Sequence, residues 1–422
     1  MMRKLLPFLI LNSILALMLA GCDKPPPEPQ VVTHGKFSEV KVYHNDGNAK
    51  PPVLLVSDDQ GEATLTRHLI EQFLGNDIDV IAISDARLQQ DFPGQLKNCN
   101  SLTGDFENLT RYVEAYLEYP RYITPMLANT PATNSAINRV LTPLVQKIFL
   151  GRLSFYADKP VKPASDLGAC PPRTTSVKVA PAPTFSMPLQ GKQADDALLE
   201  QTYAELEERM PATQDLDSVV ADLPLTEVPA KGDYDTMAIL LSGDGGWAGF
   251  DKDLADALQA KGVSVVGWDS LRYFWKATTA DSVAADLDKV IAYYLQHWNK
   301  KKVYLLGFSQ GANVLPFTVA ELDEASQKAL AKVVLISPEK FAQFEFHMTN
   351  WVKSTTTGLP VVPILQKHHG IKMLCIFGSV DKNSACPEVR DTEIEVHGFE
   401  GGHHLFQNIS TMVSLIMAPA NQ

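Results

Sequence analysis

In the second half of the chain, short apolar runs alternate with stretches whose apolar positions recur at helical spacing. The runs include MAILL, VSVVGW, KVYLLGF, AKVVLIS and IKMLCIF, and the clearest helical stretch is ADSVAADLDKVIAYYLQHW. Continuous apolar runs are typical of strands buried on both faces, and helices between such strands require parallel pairing with right-handed crossovers. The pattern predicts an α/β domain with a mostly parallel, doubly wound sheet over residues 229–422.

The first half repeats the opening of this pattern. VLLVSDDQGE resembles AILLSGDGGW, and DVIAISDARL resembles SVVGWDSLRY, both at an offset of 185 residues. A later segment matches at a changed offset that places Ala128 opposite Ser309. We therefore predict that residues 51–157 form a degenerate α/β domain of related pattern, although two ordinary strand–helix–strand units could also resemble each other by chance.

The N-terminus has the pattern of a secretory signal. Arg3 and Lys4 precede an apolar run that ends in Leu-Ala-Gly-Cys, which resembles the bacterial lipobox with Cys22 as the lipidated residue. We expect residues 1–22 to be a lipoprotein signal peptide, with a plain signal peptide as the alternative. The mature protein is then expected in the periplasm, anchored at the inner membrane because Asp23 follows the cysteine.

Two further segments complete the predicted organisation. Residues 23–50 read as an extended proline-rich tether with a first strand region. Residues 158–228 read as a connector that carries one charged helix, ADDALLEQTYAELEERM.

Composition limits the classes of partner. The 422 residues include 37 basic and 49 acidic side chains, which gives a formal net charge of -12. A chain of this length predicts two domains, and its acidic balance argues against a nucleic-acid partner.

Four cysteines follow the signal segment, in a compartment that permits disulfides. The candidate pairs are Cys375 with Cys386 and Cys99 with Cys170, and free buried thiols are the alternative. Their spacing is not that of a metal site, and no cofactor or metal is predicted.

The pentapeptide GFSQG places Ser309 between Gly307 and Gly311 at the end of an apolar run. Strand, sharp turn and helix in this order are the context of a nucleophile elbow, where small neighbours leave room for a strained serine backbone. The sequence therefore predicts that Ser309 is the nucleophile of an α/β-hydrolase domain, with an ordinary turn serine as the alternative.

A serine nucleophile needs a base and a carboxylate that orients the base. In the hydrolase fold these residues follow the serine in the order Asp/Glu, His, each at the end of a later strand. Asp381 follows such a strand, and His403 and His404 lie in a glycine-flanked loop after the last strand. We predict the triad Ser309, Asp381 and His403, with His404 as the alternative base.

An oxyanion hole requires two backbone N–H groups near the nucleophile. The predicted donors are Gln310, which follows the serine, and Asp244 and Gly245 in the loop SGDGGW. The chain has no glycine-rich motif of the nucleotide-binding kind.

Five segments together resemble the bacterial virulence-protein family VirJ/AcvB: LLSGDGGW, VVGWDSLRYFW, LLGFSQGANVLPF, CIFGSVDKNSACP and GGHHLF. The resemblance covers about residues 231–410 and implies an α/β-hydrolase domain outside the cytoplasm. In the AcvB branch it implies hydrolysis of the lysyl ester of lysyl-phosphatidylglycerol. Gln310 stands where this family typically has an aromatic residue, and Asp381 stands where it often has glutamate.

A lipid anchor would hold the enzyme where such a lipid is concentrated. Arg272 is expected to pair with the lipid phosphate and Asp269 to attract a substrate ammonium, while Trp247 and Tyr273 contribute to substrate binding. The alternative is that this segment is core, with Arg272 in a structural ion pair.

These inferences predict a periplasmic, membrane-anchored serine esterase that acts on an aminoacylated phospholipid. One alternative is a non-catalytic lipoprotein that uses the same fold to dock secretion-system proteins. Another is a lipase or thioesterase that acts on acyl chains.

Overall fold

The computed structural model describes residues 27–45, 50–58, 63–94, 102–133, 149–156, 183–190, 193–210, 216–346, 358–403, 405 and 408–418. The predicted lipidation site Cys22, the alternative base His404 and the candidate pair Cys99 and Cys170 lie outside the described residues. None of the described helices combines the length and the hydrophobicity needed to cross a membrane.

The described strands are β1 (Gln30–His34), β2 (Phe37–Tyr43), β3 (Val53–Ser57), β4 (Val80–Ser84), β5 (Met126–Asn129), β6 (Arg152–Tyr156), β7 (Thr184–Gln190), β8 (Gln193–Ala194), β9 (Leu225–Val228), β10 (Thr236–Leu241), β11 (Val265–Trp268), β12 (Lys302–Phe308), β13 (Leu330–Ile336), β14 (Phe341–Ala342), β15 (Leu359–Pro360), β16 (Met373–Gly378) and β17 (Glu395–Phe399). The described α-helices are α1 (Ala63–Gly75), α2 (Asp85–Asp91), α3 (Thr103–Tyr116), α4 (Asp196–Glu207), α5 (Gly249–Gln259), α6 (Ser270–Tyr273), α7 (Ala280–His297), α8 (Gln310–Thr318), α9 (Glu324–Ala329), α10 (Val361–Gln366) and α11 (Ile409–Met417).

The C-terminal half is built on a seven-stranded sheet with the order β17-β16-β13-β12-β10-β11-β9. All neighbours are parallel except β9, which pairs antiparallel with β11. Helices α5 and α11 cover one face, and α7, α8 and α10 cover the other. Because both faces are buried, the strands are apolar along most of their length. The predicted doubly wound α/β fold is confirmed.

The N-terminal half has an eight-stranded sheet with the order β1-β2-β4-β3-β5-β6-β7-β8. Its five parallel strands, β4-β3-β5-β6-β7, follow the same order as β11-β10-β12-β13-β16 in the other sheet. An antiparallel strand also flanks the corresponding position in both sheets, β2 beside β4 and β9 beside β11. The prediction of an α/β domain of related pattern is confirmed.

The sheet register corrects one detail of the repeat. Leu55 in β3 pairs with Ala128, and Leu240, 185 residues later, pairs with Leu306. Ala128 therefore corresponds to Leu306, three residues (309 minus 306) before Ser309. Apolar strands can be aligned in several registers, so the sequence alone did not fix this match.

The segment predicted as a connector, residues 158–228, contributes to both sheets where it is described. Strand β7 continues the N-terminal sheet, helix α4 packs Leu199 and Tyr203 into its core, and β9 forms an edge of the C-terminal sheet. Helix α4 lies within the segment predicted as a charged helix, whereas β7 was not predicted, because its proline is unusual in a strand away from a sheet edge.

Helix α3 joins the two halves through a stripe of charged side chains. Glu107, Arg111 and Glu114 follow at helical spacing, and all three are buried. The Lys252 ammonium donates to Glu107 Oε1 at 2.6 Å, and Arg111 Nη1 donates to Asp269 Oδ2 at 3.1 Å. Since a buried charge is costly without its partner, these contacts fix α3 against the C-terminal half.

Cys375 in β16 and Cys386 in the 3-10 helix Cys386–Val389 form a disulfide, as one of the candidate pairs from the sequence. The bond closes a loop with a sequence separation of 11 residues.

Reduction of this disulfide is expected to lower the free energy of unfolding by about 2–3 kcal/mol, because the open loop gains entropy in the unfolded chain. Urea denaturation with and without dithiothreitol measures the difference. The double variant Cys375→Ala/Cys386→Ala is the control, and its midpoint should not respond to the reductant. An equal response in wild type and double variant would contradict the prediction.

Candidate active site

Ser309 lies at a sharp bend between β12 and α8, with φ 49° and ψ -111°. A non-glycine residue with positive φ is strained, and such strain persists only where the surroundings fix it. The Ser309 N–H donates to Ile336 O at 2.9 Å, and the Gly311 N–H donates to Ser242 O at 3.1 Å. A Cβ at Gly311 would lie 2.3 Å from Leu241 O, so this position requires glycine.

His403 connects the serine to a carboxylate. Its Nε2 lies 2.9 Å from Ser309 Oγ, and its Nδ1 lies 2.9 Å from Asp381 Oδ2. The second carboxylate oxygen of Asp381 accepts a hydrogen bond from the Asn383 N–H at 3.0 Å. In the tautomer that satisfies both ring nitrogens, Nδ1–H donates to the carboxylate and Nε2 accepts the serine proton. The structure thus brings the three predicted residues together in one hydrogen-bonded series, Ser309–His403–Asp381, which we call the relay.

The loop that carries His403 is held by two contacts that the sequence did not indicate. A Cβ at Gly378, the last residue of β16, would lie 2.0 Å from Gly402 O, so only glycine lets this loop approach the strand. The Ser337 hydroxyl donates to His403 O at 2.8 Å. The only signal for Ser337 was its place directly after β13.

Acidic neighbours determine the protonation of His403. Burial acts to lower its pKa, but the hydrogen bond and charge of Asp381, together with the charges of Glu339 and Asp244, outweigh burial and raise the pKa above its ordinary value of 6.5. Burial raises the pKa of Asp244 to about 6; the His403 charge opposes this shift and the Glu339 charge adds to it. Proton binding at His403 and Asp244 is therefore coupled.

The predicted oxyanion donors lie around the bend. Gln310 is the first residue of α8, and its side chain donates to a backbone carbonyl of the neighbouring loop. Gly243 contacts the bend, since a Cβ there would lie 3.5 Å from Ser309 Cβ. The backbone N–H groups of Asp244 and Gly245 act to lower the pKa of the Asp244 carboxyl group, against the larger effect of burial.

A pocket of about 450 Å³ opens at Ser309 between the two halves. Six carboxyl side chains line it: Asp105, Asp244, Asp251, Glu339, Glu345 and Asp381. Among the described residues that line the pocket, His403 is the only basic side chain. A cleft whose charges have mainly one sign attracts ligands of the opposite sign.

Two residues predicted to bind substrate lie away from the pocket lining, in packed surroundings. Trp247 is 4% exposed and packs against Gly267 in the core. The Tyr273 hydroxyl donates to Asp286 Oδ2 at 2.7 Å. Both belong to segments that carry the family resemblance, but neither residue lines the pocket.

Asp269 and Arg272, the other two residues predicted to bind substrate, belong to the junction with the N-terminal half. Asp269 is 5% exposed, caps α6 by accepting from the Arg272 N–H, and pairs with Arg111. Arg272 Nη1 donates to Tyr119 O at 2.8 Å, and its Nη2 lies 3.8 Å from Glu114 Oε2. This arrangement matches the alternative interpretation, in which Arg272 forms a structural ion pair.

In the part of the chain that the structure describes, no three or more His, Cys, Asp and Glu side chains are grouped so that they could hold a metal ion.

Comparison with known proteins relates the C-terminal half to one family. Residues 235–422 match the family model of the bacterial virulence protein VirJ. This VirJ-like region contains the bend, the relay and most of the pocket lining. No curated protein matches the chain.

Solved structures similar to the chain include the esterase PE8 and a thioesterase domain. Est1E from Butyrivibrio proteoclasticus is 13% identical and covers 46% of this chain and 92% of its own, with a TM-score of 0.35. TT1662 from Thermus thermophilus is 14% identical and covers 47% and 94%, with a TM-score of 0.35. The thioesterase domain from the curacin biosynthetic pathway is 13% identical and covers 46% and 94%, with a TM-score of 0.33.

Substitution Gly378→Ala is expected to slow active-site labelling by a fluorophosphonate roughly 100-fold, because the new Cβ displaces the loop that positions His403. The control is Gly75→Ala at the end of α1, where an added Cβ meets nothing within 4 Å. Circular dichroism verifies that both variants fold. Labelling of Gly378→Ala at the wild-type rate would show that the loop tolerates the side chain.

Proposed function

We propose that the protein is a serine esterase that hydrolyses the aminoacyl ester of lysyl-phosphatidylglycerol or a similar aminoacylated lipid. The observation that carries this proposal is the relay at the strained bend, where His403 lies 2.9 Å from both Ser309 Oγ and Asp381 Oδ2. A turn serine has no need of strain, a base and an orienting carboxylate together.

In the proposed reaction, Ser309 Oγ attacks the aminoacyl carbonyl carbon while His403 Nε2 takes the hydroxyl proton. The N–H of Gln310 and the amides of the glycine loop stabilise the negative oxygen that forms. Collapse of this intermediate breaks the ester bond, and His403 gives its proton to the leaving glycerol oxygen. A water molecule, activated by the same imidazole, then releases the amino acid from Ser309.

The charge of the pocket supports a cationic acyl group. The described lining holds six carboxyl side chains and His403 as its basic group. A lysyl ester carries two ammonium groups, whereas a fatty acyl ester or thioester carries none, so the pocket favours the lysyl ester. Arg272 is engaged at the junction, so the lipid phosphate is not expected to bind to this side chain.

The location of the enzyme is part of the proposal. Lipidation of Cys22 would anchor the mature protein at the periplasmic face of the inner membrane and bring the pocket to the headgroup layer. Secretion-system proteins remain the partners expected under the non-catalytic alternative.

Incubation of the purified full chain with lysyl-phosphatidylglycerol is expected to release lysine and phosphatidylglycerol, both quantified by mass spectrometry. Ser309→Ala should lower the rate at least about 1000-fold, because the nucleophile is lost. Release of fatty acid instead of lysine would identify a lipase. An absence of Ser309-dependent products, together with no fluorophosphonate labelling, would favour the interaction protein.

The pH dependence follows from the relay. His403 accepts a proton only when neutral, so kcat/KM for a neutral ester should rise with pH through a pKa above 6.5. Glu339→Gln removes a negative charge that raises this pKa, so the rise should move to lower pH. Glu324→Gln, an exposed change on α9, is the control and should leave the profile in place. A shift to higher pH in Glu339→Gln would refute the assignment of the base.

A further inference from the structure

The pocket contains buried polar groups that the hydrolytic steps do not use. Asp251 in the first turn of α5 is 3% exposed, Ser270 at the start of α6 is 1% exposed, and both line the pocket. Asp251 Oδ1 and Ser270 Oγ have no hydrogen-bond partner among the described residues. Buried polar groups in folded proteins are normally paired, so these two atoms indicate a place where a ligand binds.

The surroundings of Asp251 disfavour its ionised form, and a bound cation would favour that form. Burial, and then the nearby charge of Asp269, raise its pKa well above the ordinary value, with Glu107 acting in the same direction and Arg111 opposing it. A carboxyl group in this setting gains most from a cation that donates hydrogen bonds. An ammonium group meets that requirement and can also donate to a serine hydroxyl.

The N-terminal half also contributes residues to the wall of this pocket. Asp105 and Asn108, on the first two turns of α3, line the pocket together with Asp251. Asn108 contacts the glycine loop, since a Cβ at Gly245 would lie 2.9 Å from Asn108 Oδ1. Burial raises the pKa of Asp105, and the charge of Lys36 opposes this rise only in part.

The position of Asp105 is fixed by the junction. Glu107, two residues further along α3, is buried and accepts from Lys252 of the C-terminal half at 2.6 Å. Lys252 is the chain neighbour of Asp251. The same ion pair therefore holds the first turn of α3 beside the first turn of α5. These turns carry Asp105 and Asp251, respectively.

We propose that Asp251 and Asp105 form a subsite for the side-chain ammonium of the aminoacyl group, so that the N-terminal half determines part of the substrate specificity. This inference rests on the proposed esterase function. On this proposal the ester carbonyl lies at Ser309, and the flexible four-carbon stem of the lysyl side chain extends toward Asp105 in α3 and Asp251 in α5, which line the same pocket.

Binding of lysinamide and norleucinamide to the full-length Ser309→Ala protein tests the subsite without catalysis. Both ligands carry the same α-ammonium, and only lysinamide carries the side-chain ammonium. Calorimetry is expected to show tighter binding of lysinamide by roughly 10- to 100-fold, the range of a charge-assisted hydrogen bond. Adding Asp251→Asn or Asp105→Asn should reduce this preference about 10-fold or more, while Asp196→Asn, an exposed first-turn aspartate of α4, should not. Equal binding of the two ligands, or a preference that survives both Asn substitutions, would overturn the proposal.

A kinetic comparison separates this proposal from the proposed function. In the otherwise wild-type chain, the p-nitrophenyl esters of lysine and norleucine are hydrolysed with and without Asp251→Asn or Asp105→Asn. The ratio of kcat/KM for lysine over norleucine should fall about 10-fold in each variant through KM for the lysine ester, since the lost contact binds the side chain. Ser309-dependent hydrolysis with an unchanged ratio would refute the subsite alone. Ser309-independent hydrolysis would refute the esterase, while the calorimetric result would still decide the subsite.

Discussion

The backbone at Ser309 is held at positive φ from both sides, and the contact of its hydroxyl with His403 depends on this constraint. One hydrogen bond ties the serine N–H to Ile336 in β13, and another ties the Gly311 N–H to Ser242 beyond β10. Strain of this kind costs about 1–3 kcal/mol, and it persists because the central strands and the helix α8 fix both ends of the bend. The hydroxyl therefore points out of the carboxyl edge of the sheet, where the loop that carries His403 meets it.

The carboxyl groups around this bend have two opposing effects. They favour a cationic ligand, but two of them, Glu339 and Asp244, also raise the pKa of His403 and so favour its inactive, protonated form. A cationic substrate in the pocket would offset their field, because a nearby positive charge lowers the pKa of an imidazolium. On the proposed function, substrate binding thus helps to convert His403 into a base.

The sequence predicts the relay because parallel strands bring their carboxyl ends to one edge of the sheet. Ser309, Asp381 and His403 each follow a strand, so their order and spacing were enough to group them. Trp247 and Arg272 show where this reasoning stops. Both lie close to motif residues along the chain. Whether such a side chain enters the pocket, the core or a junction depends on tertiary packing, which the local sequence pattern does not determine.

Helix α3 shows the same limit on a larger scale. Its stripe of Glu107, Arg111 and Glu114 has the spacing of an ordinary solvated face, yet all three side chains are buried. Lys252, which pairs with Glu107, lies 145 residues away, so only the folded structure shows that the stripe is an interface. The N-terminal half forms its own sheet, and on our proposal its role is to place α3 against the pocket. A buried charge that loses its partner costs about 3–5 kcal/mol, so the ion pairs that join the halves also fix one wall of the pocket.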